Sequence, residues 1–175
     1  MAKTFNENYQ NKLEIDTTGN TTLDDVTKAT WATLAAGIQT ITPSASETAD
    51  TTPYYDGEGF SSVDVTGKTI SFAVAGHRLN GDEAQDYIAS KYIGVGDTLH
   101  TLARWTDPSG KQVQFPATLQ AIVPFGGAAN AKQTFSFTLA ANGKPQVVNA
   151  SVTGTTTNGG TTSGSVTGTT AGGGQ

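Results

Sequence analysis

The residues in this sequence that could do chemistry are few, and their spacings are poor for it. His77-Arg78 would join a base that titrates near neutrality to a cation that clamps an anion. No activated serine or carboxylate is identifiable beside them to complete a nucleophile–base pair. A polar pair at a strand end, solvated or in a contact between subunits, accounts for the same residues. Asp56-Gly57-Glu58-Gly59, with Asp64 downstream, offers carboxylate oxygens to a calcium ion. It lacks the twelve-residue EF-hand spacing and its terminal bidentate glutamate, so it reads as a turn with aromatic anchors. Gly94-Val95-Gly96 lacks the third glycine of a dinucleotide fingerprint, and a helix precedes it where one should follow. There is no cysteine, which excludes disulfides, thiolate metal sites and cysteine nucleophiles. The only histidines are His77 and His100, too few for a three-histidine zinc site. No catalytic, cofactor-binding or metal-ligating residue is assigned, and the expectation is a protein without enzymatic chemistry.

Composition points the same way. The 175 residues make one domain with an appendage. Charged residues are 14% of the chain, well under the usual quarter, while 21 residues are glycine and 30 are threonine. Such a chain suits a β-rich structural protein better than a helical enzyme. The net charge is −5, and the ten basic residues are scattered singly. Gripping phosphates takes clustered Lys and Arg, so general nucleic-acid binding is not expected. The first residues lack the apolar stretch of a secretory signal, and no window of about 18 apolar residues exists, so neither export nor membrane insertion is expected.

Positioning falls to strands and one helix within residues 1–150. Lys12 to Asp16 is a short strand, and Trp31 to Thr42 reads as strand because Thr40-Ile41-Thr42 and Pro43 oppose a helix. Residues 43–62 read as a long loop punctuated by Pro43, Pro53, Gly57 and Gly59. Val63 to Ala75 reads as strand on either side of a turn or bulge at Gly67. The helix is placed over 82–93. Asn80 or Asp82 caps it, Glu83 and Asp86 complement the dipole, and Gly94 supplies a left-handed stop. Its stripe of Ala84, Tyr87, Ile88, Lys91 and Tyr92 packs on a sheet. Asp107-Pro108-Ser109-Gly110 closes a hairpin between Thr98–Trp105 and Lys111–Phe125. In its second arm Val113, Phe115, Ala117, Leu119, Ala121 and Val123 share one face, and Pro116 demands an edge or a bulge. Phe135, Phe137 and Leu139 line one face of a further strand that ends at Asn142-Gly143, with a last short strand over Gln146–Val148. Residues 151–175 carry no charge and no aromatic side chain, and Ser151-Val152-Thr153-Gly154 recurs at Ser165-Val166-Thr167-Gly168. This Gly/Thr/Ser-rich stretch is a flexible tail, or an arm that orders against a neighbouring subunit.

Three stretches together carry a family likeness: Pro53-Tyr54-Tyr55-Asp56-Gly57-Glu58-Gly59-Phe60, then Gly76-His77-Arg78, then Gly81-Asp82-Glu83-Ala84-Gln85-Asp86-Tyr87-Ile88. The sequence resembles the major tail (tail tube) proteins of long-tailed, siphovirus-type bacteriophages of Gram-positive bacteria. The likeness implies a mainly β fold, a β-sandwich or barrel-like domain with one flanking helix, a long loop and extended terminal arms. It implies hexameric rings stacked into a hollow tube, the inner sheets joined around a lumen through which DNA is ejected without specific binding. The long loop and arms would make the contacts between rings. Implied partners are copies of the chain, a tape measure protein inside the growing tube, and tail terminator and distal tail or tip proteins at its ends. The implied location is the virion tail, assembled in the host bacterial cytoplasm.

For subunit contacts the expected residues are Tyr54, Tyr55, Asp56, Phe60, His77, Arg78, Asp82 and Asp86. Aromatics in a loop expose area that a monomer rarely leaves bare, unless they fold back as a lid on their own domain. The competing reading is a secreted or surface β-sandwich adhesin on a flexible Thr/Gly stalk, which the missing signal segment disfavours.

Overall fold

A computed structural model describes residues 5–149. In chain order the strands are β1 (Lys12–Asp16), β2 (Trp31–Thr33), β3 (Ile38–Pro53), β4 (Ser61–His77), β5 (His100–Thr106), β6 (Lys111–Val123), β7 (Thr134–Ala141) and β8 (Gln146–Asn149). One helix, α1 (Glu83–Ser90), lies between β4 and β5. The strands pair antiparallel in a single sheet, ordered β2-β1-β5-β6-β7-β4-β3, with β8 added to β6. Among the described residues no helix is long and apolar enough to cross a membrane. The tail over 151–175 and its repeat lie outside the described residues.

The sheet curls on itself. Strands β4 and β5 are three places apart, about 14 Å in a flat sheet. Yet the rings of Phe72 and Trp105 stand 6.4 Å apart, and Phe72 stacks on Phe115 of β6 at 5.7 Å. The enclosed core takes Leu13 and Ile15 from β1, Phe72 and Val74 from β4, Phe115 and Leu119 from β6, and Phe135, Phe137 and Leu139 from β7. Ala84 and Ile88 of α1 close it on one side. This is the expected mainly β, barrel-like architecture with one flanking helix.

Several local expectations change. The segment expected as a long loop over 43–62 is mostly strand. β3 runs to Pro53, a turn spans Tyr55–Gly57, and β4 resumes at Ser61. β3 ends the strand order, and an edge strand tolerates Pro43 and Pro53 because no outer neighbour needs their N–H groups. The bulge falls where expected: Thr48 pairs with Gly67 and Ala49 with Val65, leaving Thr66 as the extra residue. It shifts the phase of β4. Val63 and Val65 thereby share the face of Ile70, Phe72 and Val74, which strict alternation would deny them.

The helix ends at Ser90, three residues short of expectation, and Gly94 is not left-handed. A Cβ at Gly94 would meet the Thr98 hydroxyl at 2.7 Å, so the glycine answers to close approach. Of the expected stripe, Ala84 and Ile88 are buried, Tyr87 is half-buried and Tyr92 is exposed. On β6 the apolar alternation breaks at Ala121, which takes a left-handed φ of 50° at a bulge. Ile122 then points to the core and Val123 outward. Pro116 sits inside the sheet where the neighbour of β6 changes from β8 to β7, and Asn142 N–H donates to its carbonyl at 2.7 Å. Its missing N–H therefore falls in the gap between the two neighbours.

Candidate functional site

The feature that a lone domain does not explain is the outer half of β3 and β4. β7 pairs with β4 only from Ser71 to His77. Beyond that, Ala45–Pro53 and Ser61–Ile70 pair with each other alone. A two-stranded ribbon is at best marginally stable in water, and eight residues of strand carry its tip about 26 Å from its base. Glu47 and Lys68 form one ion pair across it at 2.6 Å. Val63 and Val65 lie exposed on its core-continuing face.

At the tip, the chain reverses through Tyr55–Gly57. Gly57 N–H donates to Tyr54 O and Phe60 N–H to Gly57 O, and Glu58 and Gly59 both take left-handed φ values. This turn holds three aromatics outward. Tyr54 is 59% exposed, Phe60 81%, and Tyr55 fully exposed. They do not fold back as a lid. Asp56 and Glu58 are exposed between them. Among the described residues no group of three or more His, Asp or Glu side chains is placed to hold a metal.

The other expected contact residues gather elsewhere, at the end of β4 and the start of α1. Asp82 caps α1 by accepting from Gln85 N–H at 3.0 Å. Arg78 donates to Asp86 at 2.5 Å and to the Leu79 carbonyl at 2.8 Å, and lies 5.8 Å from the Phe135 ring centroid. Asp86 also accepts from Gly81 N–H at 3.1 Å. The fully buried Gln85 completes the bracket. Its oxygen accepts from Leu79 N–H at 2.8 Å, and its amide donates to the carbonyls of Ala36 at 2.7 Å and His77 at 3.3 Å. His77 is half-buried, with its N–H on the Gly37 carbonyl. So the Gly-His-Arg and Gly-Asp-x-Ala-Gln-Asp stretches build an internal clasp between α1, the start of β3 and the end of β4.

Two buried acids escaped the sequence reading. Asp16, with no exposed surface, accepts from the N–H and hydroxyl of Thr18, the N–H and side-chain amide of Asn20, and the Thr30 N–H, fixing the Thr17–Thr30 loop. Burial pushes its carboxyl up, but these donors outweigh it, and the net position is below the ordinary 3.8. Glu14 takes a two-pronged grip from Arg104 at 2.6 and 3.1 Å and an ion pair from Lys12 at 2.9 Å. Burial raises its carboxyl too, and the two cations carry it below the ordinary 4.5. Arg104 stacks over Trp31 at 4.3 Å, tying β1, β2 and β5 together. The run Asp16-Thr17-Thr18-Gly19-Asn20 is itself a side-chain-capped turn signal, the one clue that was readable. These acids organise structure and face no open site.

No protein-family model matches the chain, and no curated protein matches its sequence. Solved structures share its fold, among them two from gene transfer agent particles. A chain from the virion of a native gene transfer agent particle superposes with a TM-score of 0.62 at 15% identity, over 82% of this chain and 99% of that chain. A chain from the tail of an empty gene transfer agent particle, described with helical, C6 symmetry, superposes with a TM-score of 0.65 at 16% identity, over 82% of this chain and 99% of that one. The curled antiparallel sheet with its flanking helix is thus a mainly β fold shared with these two particle chains.

Proposed function

We propose that this chain is a structural subunit of a phage-type tail tube, with no enzymatic role. The observation that carries the reading is the match in fold, over 82% of this chain and 99% of the other, to a chain from a tail of sixfold helical symmetry. The ribbon supports it, because an exposed two-stranded arm tipped with aromatics calls for another surface. In this reading six copies close into a ring, a heterologous contact whose rotation closes, and rings stack into an open filament. Edge strands paired between subunits no longer template aggregation.

The finer assignment is a long-tailed, siphovirus-type phage of a Gram-positive host. The tube is assembled in the host cytoplasm around a tape measure protein, is bounded by tail terminator and distal tail or tip proteins, and belongs to the virion tail. A net charge of −5 and scattered basic residues suit a lumen along which DNA slides without binding. Tyr54, Tyr55, Asp56 and Phe60 make the primary contact between copies. His77, Arg78, Asp82 and Asp86 make a second contact, at the end of the β3–β4 hairpin opposite the aromatic tip.

Negative-stain electron microscopy of the purified chain, concentrated and incubated for days, tests the reading. Sixfold rings or hollow tubes are expected. A chain that stays monomeric even with tape measure and tail-tip proteins added overturns it.

A further inference from the structure

The curled sheet gapes where the ribbon leaves it. Between the ribbon base and the β5, β6 and β8 side lies an apolar cleft of about 730 Å³. Its walls include Leu13, Ile41, Ile70, Phe72, Trp105 and Val147. Its charged lining is Lys68 and Lys144, both exposed; Lys68 also holds Glu47, which itself does not line the cleft, at 2.6 Å, and Lys144 is in no ion pair among the described residues. Open apolar volume of this size is enough to bury a drug-sized group, and a soluble chain gains nothing by leaving it wet.

The tip of the ribbon has the matching chemistry. It presents Tyr55 and Phe60 almost wholly to solvent, with Asp56 and Glu58 between them. No basic residue occurs from Pro53 to Gly67. Aromatics and carboxylates at the tip thus complement apolar walls and ammonium groups at the cleft. The tip cannot serve its own cleft. Ala45 and Ile70 line the cleft at the ribbon base, and the β3–β4 ladder holds Pro53 and Ser61 about 26 Å further out.

We propose that the cleft of one copy receives the ribbon tip of a second copy, with Tyr55 and Phe60 against the apolar walls and Asp56 and Glu58 beside Lys68 and Lys144. This rests on the self-assembly reading above and names the receiving surface. Knob and cleft are different surfaces, so each copy both gives and receives, and the contact propagates instead of stopping at a dimer. Filling the cleft also anchors the free end of a ribbon that one chain leaves unsupported.

The chain has no cysteine, so introduced thiols are unique. Chains carrying Tyr55→Cys and chains carrying Lys144→Cys are mixed, oxidised under mild conditions and separated without reductant. Both positions are exposed, so the fold is not at risk. The expected result is a mixed disulfide enriched about tenfold or more over like–like products, as raised effective concentration dictates. In a second arm, the K68E/K144E chain assembles at least about tenfold more slowly than wild type, and adding D56K/E58K restores the rate. Tubes that form without the mixed disulfide overturn this proposal and leave the tube reading intact. The mixed disulfide in particles that are not tubes sustains the proposal and counts against the tube reading. A disulfide formed within one chain by Phe5→Cys and Lys144→Cys means that the chain's own N-terminal segment fills the cleft, which overturns the proposal. So does the absence of both assembly and cross-link.

Discussion

Asp50 on β3 and Asp64 on β4 stand directly opposite each other across the ribbon ladder, both exposed. Like charges so placed work against pairing, and here they act where only two strands hold together. Replacing Asp64 by Thr removes the repulsion and adds a residue of high strand propensity. Amide exchange over 45–53 and 61–70 should slow about 1.5- to 5-fold, the equivalent of a cross-strand pair of ~0.2–1 kcal/mol. Unchanged or faster exchange would show that the pair does not limit ribbon stability.

Gly76 shows how tightly the start of β3 packs on the end of β4. A Cβ there would lie 2.2 Å from the Gly37 carbonyl oxygen and 2.8 Å from Ile38 Cα, both backbone atoms that cannot swing aside. Gly37 itself sits at φ +74°, where the chain turns from β2 into β3. Gly76→Ala should therefore cost about 3 kcal/mol or more in chemical denaturation, the upper range for overpacking. A loss below about 1 kcal/mol would mean that β3 can back away from β4 at no great cost.

What was legible in the sequence was what neighbours along the chain decide. Asp107-Pro108-Ser109-Gly110 carries its own turn chemistry, and Gly110 N–H does donate to Asp107 O at 3.0 Å. Phe135, Phe137 and Leu139 alternate without interruption, and of the two cap candidates, Asn80 and Asp82, the cap is Asp82. The ribbon was hidden by two effects. Pro43 and Pro53 are breakers by local rule, and only the strand order shows that β3 is an edge. The apolar residues also change phase at Thr66, from Val63 and Val65 to Ile70, Phe72 and Val74, so no single period spans β4. The aromatic tip was legible as a contact candidate because Tyr54-Tyr55 and Phe60 bracket turn residues. The cleft was not, since its walls come from strands far apart in the chain. Gln85 looked like one polar helix residue among several, and its burial arises only once β2, β4 and α1 converge.

Gln85 is the centre of that convergence. Its side chain joins the Leu79 N–H to the carbonyls of Ala36 and His77 with no exposed surface. Leucine fills similar space and removes the partner of all three backbone groups. Gln85→Leu should lose about 2–4 kcal/mol, the range for breaking a buried hydrogen-bond network, and loosen α1 from the start of β3 and the end of β4. Denaturant midpoints measure the loss. Exchange in α1 faster than in β6 and β7 would locate it, whereas a variant as stable as wild type would show that water replaces the amide freely.

Acid should undo the loop that Asp16 organises. Asp16 and Glu14 both titrate below their ordinary values of 3.8 and 4.5 in the folded chain, despite burial, because of the donors and cations around them. The unfolded chain therefore binds protons first as pH falls. The stability these carboxylates contribute is complete above the ordinary values and is lost as pH drops through the folded ones. Wild-type stability should be level from about pH 7 to 5 and decline below about pH 4.5. Asp16→Asn places an amide donor among donors that need an acceptor, a cost of about 2–3 kcal/mol at neutral pH. That difference from wild type should shrink as pH falls below the ordinary 3.8, where the unfolded chain begins to bind the proton ahead of the folded one. Urea unfolding at pH 7 and pH 3 measures both. A difference that stays constant across that range would mean that the fit of Asp16 in its loop, and not its charge, holds the Thr17–Thr30 segment in place.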